Sequence, residues 1–129
     1  MKSFAPDQTR APSGARSGLL PWWIQRATGL VLLGYLFLHV RTIHELSRGP
    51  AAFDAALARF RSPFFKLLEI ALLGAVILHA CNGVRITLID LGLGHASERR
   101  LFWVLAVGIG GVLFLAGAIP IFLSAILGI

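Results

Sequence analysis

The sequence predicts an all-α integral membrane protein with three transmembrane helices packed as part of a helix bundle. Of its 129 residues, 57% are hydrophobic and only 14% charged, where a soluble domain carries roughly a quarter charged residues. Mean hydropathy is +0.79. The charges are gathered into a few places, and the long apolar segments between them have the length of a bilayer crossing, about 20 residues. The net charge of +6 does not point to nucleic acid, because the basic residues flank apolar spans instead of forming a stripe on a soluble face. They fit orientation in a lipid bilayer and contact with headgroups.

Residues 1–20 are rich in Ser, Pro, Gly and Arg. Without apolar periodicity they read as a basic, disordered tail at the membrane surface. They hold no continuous apolar stretch of the kind a cleavable signal peptide requires. From residue 21 to 129 the chain reads as a single transmembrane domain, with helices at about 21–43, 63–90 and 101–127.

Pro21 suits the first turn of the first helix, where its missing N–H would be unpaired anyway. Trp22 and Trp23 favour the headgroup level. Arg26 and Arg41 bracket an uncharged middle, both close enough to the ends to snorkel. In the connector, Gly49-Pro50 is a breaker, and Phe53, Leu57 and Phe60 at i, i+4, i+7 predict a short helix on the membrane plane.

Ser62-Pro63 supplies an N-cap and a first-turn proline for the second helix, which Gly92 and Gly94 end. Cys81, the single cysteine, reads as a small packing residue. Lys66 is placed to pair with Glu69, and Tyr35 is expected to pack. The third helix carries no charge from Leu101 onward. Ala106 and Gly110 form a small-xxx-small pair, and Gly108, Gly111 and Gly117 extend the small surface for close packing. Pro120 is expected to kink the last turns.

The amino-terminal side carries Lys2, Arg10, Arg16, Arg26, Arg85, Arg99 and Arg100. The opposite side carries Arg41, Arg48, Arg59, Arg61 and Lys66. That bias favours a cytoplasmic amino terminus and an external carboxyl terminus.

The chemistry concentrates around His79. An ionisable residue inside an apolar span is costly and marks a functional site by default. The pattern H-x-x-x-G-x-R-x-x-x-x-D, from His79 through Gly83 and Arg85 to Asp90, sharpens it. His79 and Gly83 share one helix face, and the glycine leaves room for a flat macrocycle. Arg85 lies about 9 Å further along the axis, within reach of carboxylates on a haem edge. The site therefore reads as one axial ligand of a b-type haem. The competing reading is a neutral histidine hydrogen-bonded across the bundle.

His39 stands at a different depth, separated from His79 by something on the order of 10 Å. The two are not expected to hold the same iron. Either a partner chain supplies the opposite ligand, or there are two haems, with His39 ligating the second. His39 otherwise reads as an interfacial residue. His44 lies one turn beyond it with no third ligand near, and His95 reads as solvated in a polar turn. Arg26 and Arg85 share one membrane face and are candidates to pair with haem propionates or a quinone carbonyl. Trp22, Trp23, Arg26 and Asp90 are the candidate quinone contacts, with Asp90 holding an arginine in place.

Together these residues resemble the membrane-anchor subunits of succinate dehydrogenase and quinol:fumarate reductase. His79-Ala80-Cys81-Asn82-Gly83-Val84-Arg85, continuing to Asp90-Leu91-Gly92, is similar to the haem-ligand motif of the cytochrome b subunit. Gln25-Arg26-Ala27-Thr28-Gly29 resembles the start of the first helix in both small anchor chains. Arg61-Ser62-Pro63-Phe64-Phe65 is similar to the smaller one, toward which the resemblance leans. The resemblance covers roughly residues 22–95. The chain departs from it at Trp22 and Gln25, where the cytochrome b subunit often has Ser and His, at Ile86 in place of His or Phe, and at Leu91 in place of a tyrosine. His39 is similar to the first-helix ligand of relatives with two haems.

The resemblance implies a multi-pass subunit of the cell's inner (cytoplasmic) membrane. It would share haem b with a second membrane-anchor subunit and dock an iron–sulfur subunit and a flavoprotein subunit. Electrons from succinate would reach quinone beside it, without this chain binding the dicarboxylate. A haemless structural anchor or assembly protein, and a quinol:fumarate reductase anchor, are the alternatives. A small proton or solute carrier ranks below them, since no inverted repeat is visible.

Overall fold

The structure, a computed structural model, describes residues 19–93 and 98–127. Helix α1 (Leu19–His44) passes through a 3₁₀ turn (Glu45–Arg48) to α2 (Pro50–Arg59), then α3 (Pro63–Asp90). Helix α4 (Glu98–Trp103) continues through a π-helical stretch (Val104–Ile109) into α5 (Gly110–Leu127). Three helical rods are long and apolar enough to cross a membrane: Leu19–Arg48, Pro63–Asp90 and Arg99–Leu127. No strand occurs among the described residues. His95 and Gly94 lie outside them, as does the tail up to Gly18.

Local chemistry sets the boundaries. Helix α1 begins two residues before Pro21, still within the first turn, whose N–H groups lack intrahelical partners. Gly49 takes φ 104°, a conformation that disfavours residues with a Cβ, and Pro50 opens α2. Ser62 is the N-cap of α3, its Oγ accepting from the Phe65 N–H at 3.5 Å. At the other end Gly92 has φ 79°, while Gly92 N–H donates to Ile89 and Leu93 N–H to Leu88. That pair of reverse bonds is a Schellman C-cap.

Helix α3 is central and packs on both α1 and α5. Its contact with α5 is built on small residues. A Cβ at Gly110 would lie 3.1 Å from Ile77 and 3.3 Å from Cys81 Sγ, and one at Gly117 would lie 2.7 Å from Leu73. Gly74 on α3 answers with a close approach to Phe114. Gly108 and Gly111, expected to add to this surface, have open space beside them instead. Gly111 lines a cavity on this same side, together with Gly74, Ile77 and Leu78 of α3.

The third rod also carries an irregular stretch that its sequence did not announce. Helix α5 runs unbroken through Pro120 to Leu127, and the irregular stretch is Val104–Ile109 upstream. A π turn of this kind rotates the following residues relative to an ideal α-helix. Here the residue that follows it is Gly110, packed against α3.

Burial is inverted relative to a soluble protein. Large apolar side chains such as Leu30, Phe37, Val112 and Ile126 point outward, as lipid-facing or partner-facing surface requires. Among the few buried residues are the polar Thr28, Asn82 and Arg85. All three sit where the first half of α1 meets the second half of α3.

Candidate functional site

That polar seam is assembled around His79. The imidazole is half-buried and faces α1, with Nδ1 3.0 Å from Thr28 Oγ1 and Nε2 3.4 Å from Gln25 Nε2. Thr28 also donates to its own helix, lying 2.6 Å from the Ile24 carbonyl. Asn82, one turn beyond His79 on α3, is 1% exposed. Its amide donates to the Pro21 carbonyl and to Gln25 Oε1, both at 3.0 Å, while its own Oδ1 is buried without a partner among the described residues.

Small residues let the two helices meet here. A Cβ at Gly29 would touch the His79 ring at 3.4 Å. At Gly83 a Cβ would reach only Gln25 Nε2, at 4.0 Å, so space beside this glycine exists and opens toward α1.

A cleft of about 270 Å³ adjoins this seam, lined by Pro21, Trp22, Gln25 and Arg26 of α1 and by Asn82, Arg85 and Ile86 of α3. Arg26 is held over the Trp22 ring, 4.2 Å from its centroid, a cation–π arrangement. Arg85 is buried, at 8% exposure. Two guanidinium side chains, an amide donor and an aromatic wall thus converge on one small concavity. Such a site can take a flat apolar ring bearing anionic or carbonyl oxygens.

The structure brings together some expected site residues and separates others. His79, Gly83, Arg85, Arg26 and Trp22 gather at one end of the α1–α3 seam. Trp23 packs edge-on against Trp22 at 4.8 Å but is 62% exposed and does not line the cleft. Asp90 is also exposed and outside it. His39 lies eleven residues beyond Thr28 on α1, roughly 16 Å of helix rise from the His79 level. It is exposed, and Tyr35, expected only to pack, puts its hydroxyl 3.2 Å from His39 Nδ1. His44 closes α1 further still from the seam. Lys66 and Glu69 form the expected ion pair, at 3.1 Å. Gln25, Thr28 and Asn82 contact or adjoin His79 but received no role from the sequence. All three are uncharged polar residues in apolar surroundings, and Asn82 lies three residues from His79, the spacing that puts it on the neighbouring face.

Fold and seam define a class: a three-span, all-α membrane subunit with a cationic cleft and a helix-bridging histidine at one end. Comparison narrows it. Residues 7–119 match the family of succinate dehydrogenase/fumarate reductase transmembrane subunits. The succinate dehydrogenase hydrophobic membrane anchor subunit of Halobacterium salinarum is 32% identical over 109 residues, 84% of this chain and 82% of the relative. The succinate dehydrogenase 2 membrane subunit SdhC of Mycobacterium tuberculosis is 33% identical over 104 residues, covering 80% and 73%. An anchor subunit from Archaeoglobus fulgidus is 33% identical over 79 residues, 61% of this chain and 68% of the relative. The chain belongs to the succinate dehydrogenase/fumarate reductase transmembrane subunit family.

Proposed function

We propose that this chain, a membrane anchor of that family, works in a succinate:quinone oxidoreductase, that His79 would hold haem b as a ligand, and that the Arg26–Arg85 cleft receives the quinone head. One observation carries the reading. Gln25 is both a wall of the cleft and a neighbour of His79 Nε2, so ligand and cleft are contiguous. Relatives named as succinate dehydrogenase subunits favour succinate oxidation over fumarate reduction as the working direction.

The residues fit a haem. His79 offers an imidazole at an intramembrane site, Gly83 leaves space next to it, and Arg26 and Arg85 supply cations for propionates. No second histidine among the described residues shares the depth of His79, so a further protein ligand to the haem would come from a second anchor subunit. Haem b, when bound, supplies a one-electron store beside the quinone. The complex would be completed by an iron–sulfur subunit and a flavoprotein subunit on the cytoplasmic side, the side of the amino terminus and of the cleft.

Succinate oxidation to fumarate releases two electrons and two protons, and quinone takes up two of each to become quinol. The task of this chain is at the second event. Trp22, Pro21 and Ile86 exclude water from the ring, while Arg26 and Arg85 stabilise negative charge as it develops on the quinone oxygen. Trp23 and Asp90 would act from outside the cleft: Trp23 by backing Trp22, Asp90 at the rim of the same face.

A second reading is favoured by one observation: both ring nitrogens of His79 already reach α1, as in a histidine that only bridges helices. A reduced-minus-oxidised spectrum of the purified complex separates the two. Haem ligation requires a b-type signal that His79→Ala abolishes or severely reduces. An unchanged spectrum in that variant would leave His79 a bridge.

A further inference from the structure

We infer that Thr28, Gln25 and Asn82 together fix the proton of His79 on Nδ1 and present Nε2 bare, with the Gln25 amide as a placeholder on that nitrogen. The inference rests on the haem reading for its purpose but not for its derivation.

Two backbone carbonyls, which can only accept, orient the polar groups around His79. Asn82 donates to the Pro21 carbonyl at 3.0 Å, so its NH₂ is turned that way. The same NH₂ donates to Gln25 Oε1 at 3.0 Å, which turns the Gln25 NH₂ toward His79 Nε2 at 3.4 Å. An amide nitrogen donates and does not accept, so Nε2 must offer a lone pair. From the other side, Thr28 Oγ1 lies 2.6 Å from the Ile24 carbonyl. Its single hydrogen is committed there, so its lone pairs face His79 Nδ1 at 3.0 Å. Nδ1 must therefore carry the proton.

The partners on both sides of the ring require the same neutral tautomer. An imidazolium would set N–H against N–H at Gln25, and the opposite tautomer would do so there while leaving Nδ1 bare against lone pairs. Gly29 allows the ring to lie this close to α1, since a Cβ there would stand 3.4 Å from Cε1. The bond a histidine makes through one nitrogen decides which one it offers to a metal. Here the offered nitrogen is Nε2, and at 3.4 Å its contact with Gln25 is longer than a usual hydrogen bond of about 2.7–3.2 Å. Gln25 is thus a weakly held occupant that a stronger partner displaces, while Thr28 keeps the ring oriented. Gln25 and Asn82 are positioning residues.

The full-length chain, labelled with ¹⁵N-histidine and placed in lipid bilayers from haem-deficient cells, tests this by solid-state NMR. The resonances of His79 are those lost in His79→Ala. The expected result is one neutral tautomer, protonated at Nδ1; a proton on Nε2 or on both nitrogens would overturn the proposal. Gln25→Glu puts an acceptor beside Nε2 and should draw a proton there, with about a tenfold or greater loss of haem retention in the assembled complex. Gln25→Leu, which offers Nε2 neither a donor nor an acceptor, should keep Nδ1–H through Thr28. Should Gln25→Glu fail to accumulate, Asn82→Leu releases the Gln25 amide to rotate, and a second tautomer should appear. Persistence of Nδ1–H alone in every variant would refute a role for either amide. A tautomer that responds as expected in a complex without haem would keep this inference and sink the haem reading instead.

Discussion

Thr28 Oγ1 stands 3.0 Å from His79 Nδ1, joining α1 to α3 through the histidine at the centre of the seam. Thr28 is itself buried, so this contact is made away from lipid and has no competitor among headgroup waters. It ties the first helix, whose Arg26 points into the cleft, to the second helix, whose Arg85 does the same. A partner on the non-ligating nitrogen orients a metal-binding imidazole, and its loss typically costs about 10–100-fold in affinity or activity. Thr28→Val keeps the shape and removes the acceptor. We expect haem to be lost from the complex at least tenfold more readily, read as b-type absorbance surviving detergent dilution. Undiminished retention would detach Thr28 from the haem site.

Much of this fold was legible because bilayer physics leaves strong marks: long apolar runs, tryptophans and arginines at their ends, and Ser62-Pro63 opening α3. The motif from His79 to Asp90 was legible too, since polar groups are rare in such runs. Less legible was which side of each helix faces which neighbour. The spacing suggested five small residues on the third rod, Ala106, Gly108, Gly110, Gly111 and Gly117, as one surface, but the π stretch at Val104–Ile109 alters the phase, and of the glycines only Gly110 and Gly117 leave no room for a methyl group against α3. The relay through Gln25 and Asn82 depends on two helices crossing at one depth, and no single stretch of sequence encodes that. Trp23 and Asp90 shared a membrane face with the cleft, but sharing a face does not place a side chain in it.

Gly110 and Gly111 form a matched pair for testing the packing. A methyl group at Gly110 would meet Ile77, Cys81 and the Leu105 carbonyl within 3.3 Å, and such overpacking costs about 1–3 kcal/mol. A methyl at Gly111 meets nothing within 4 Å and gains helix propensity of up to about 1 kcal/mol. Gly110→Ala should lower the thermal midpoint of the purified complex, while Gly111→Ala should leave it unchanged or raise it. Equal responses would contradict the α3–α5 interface described above.

His39 offers a test of haem stoichiometry. Exposed and roughly 16 Å along α1 from the level of His79, it cannot share an iron with His79. His39→Ala should therefore leave the His79-dependent b signal intact. Quantitative haem extraction then reports on His39 alone: a fall from two haems to one identifies a second ligand, and an unchanged count assigns His39 to its contact with Tyr35. Loss of the His79-dependent signal would show that the depth argument fails.

The cleft itself is tested at Arg26, whose guanidinium lies over Trp22 and lines the wall opposite Arg85. A donor held in place before the quinone arrives spends nothing on reorganisation as negative charge develops on the quinone oxygen. A hydrogen bond to a charged group contributes about 1.5–3 kcal/mol, and about 1.4 kcal/mol corresponds to tenfold in rate. Arg26→Leu preserves the apolar stem and removes the donor. Succinate:quinone activity should fall about tenfold or more, while succinate oxidation with an artificial acceptor at the soluble subunits survives. Arg26→Lys should recover part of the loss, because charge returns without the planar fork that stacks on Trp22. If both activities fall together in Arg26→Leu, the residue supports assembly of the complex, and the quinone must be sought elsewhere than between Arg26 and Arg85.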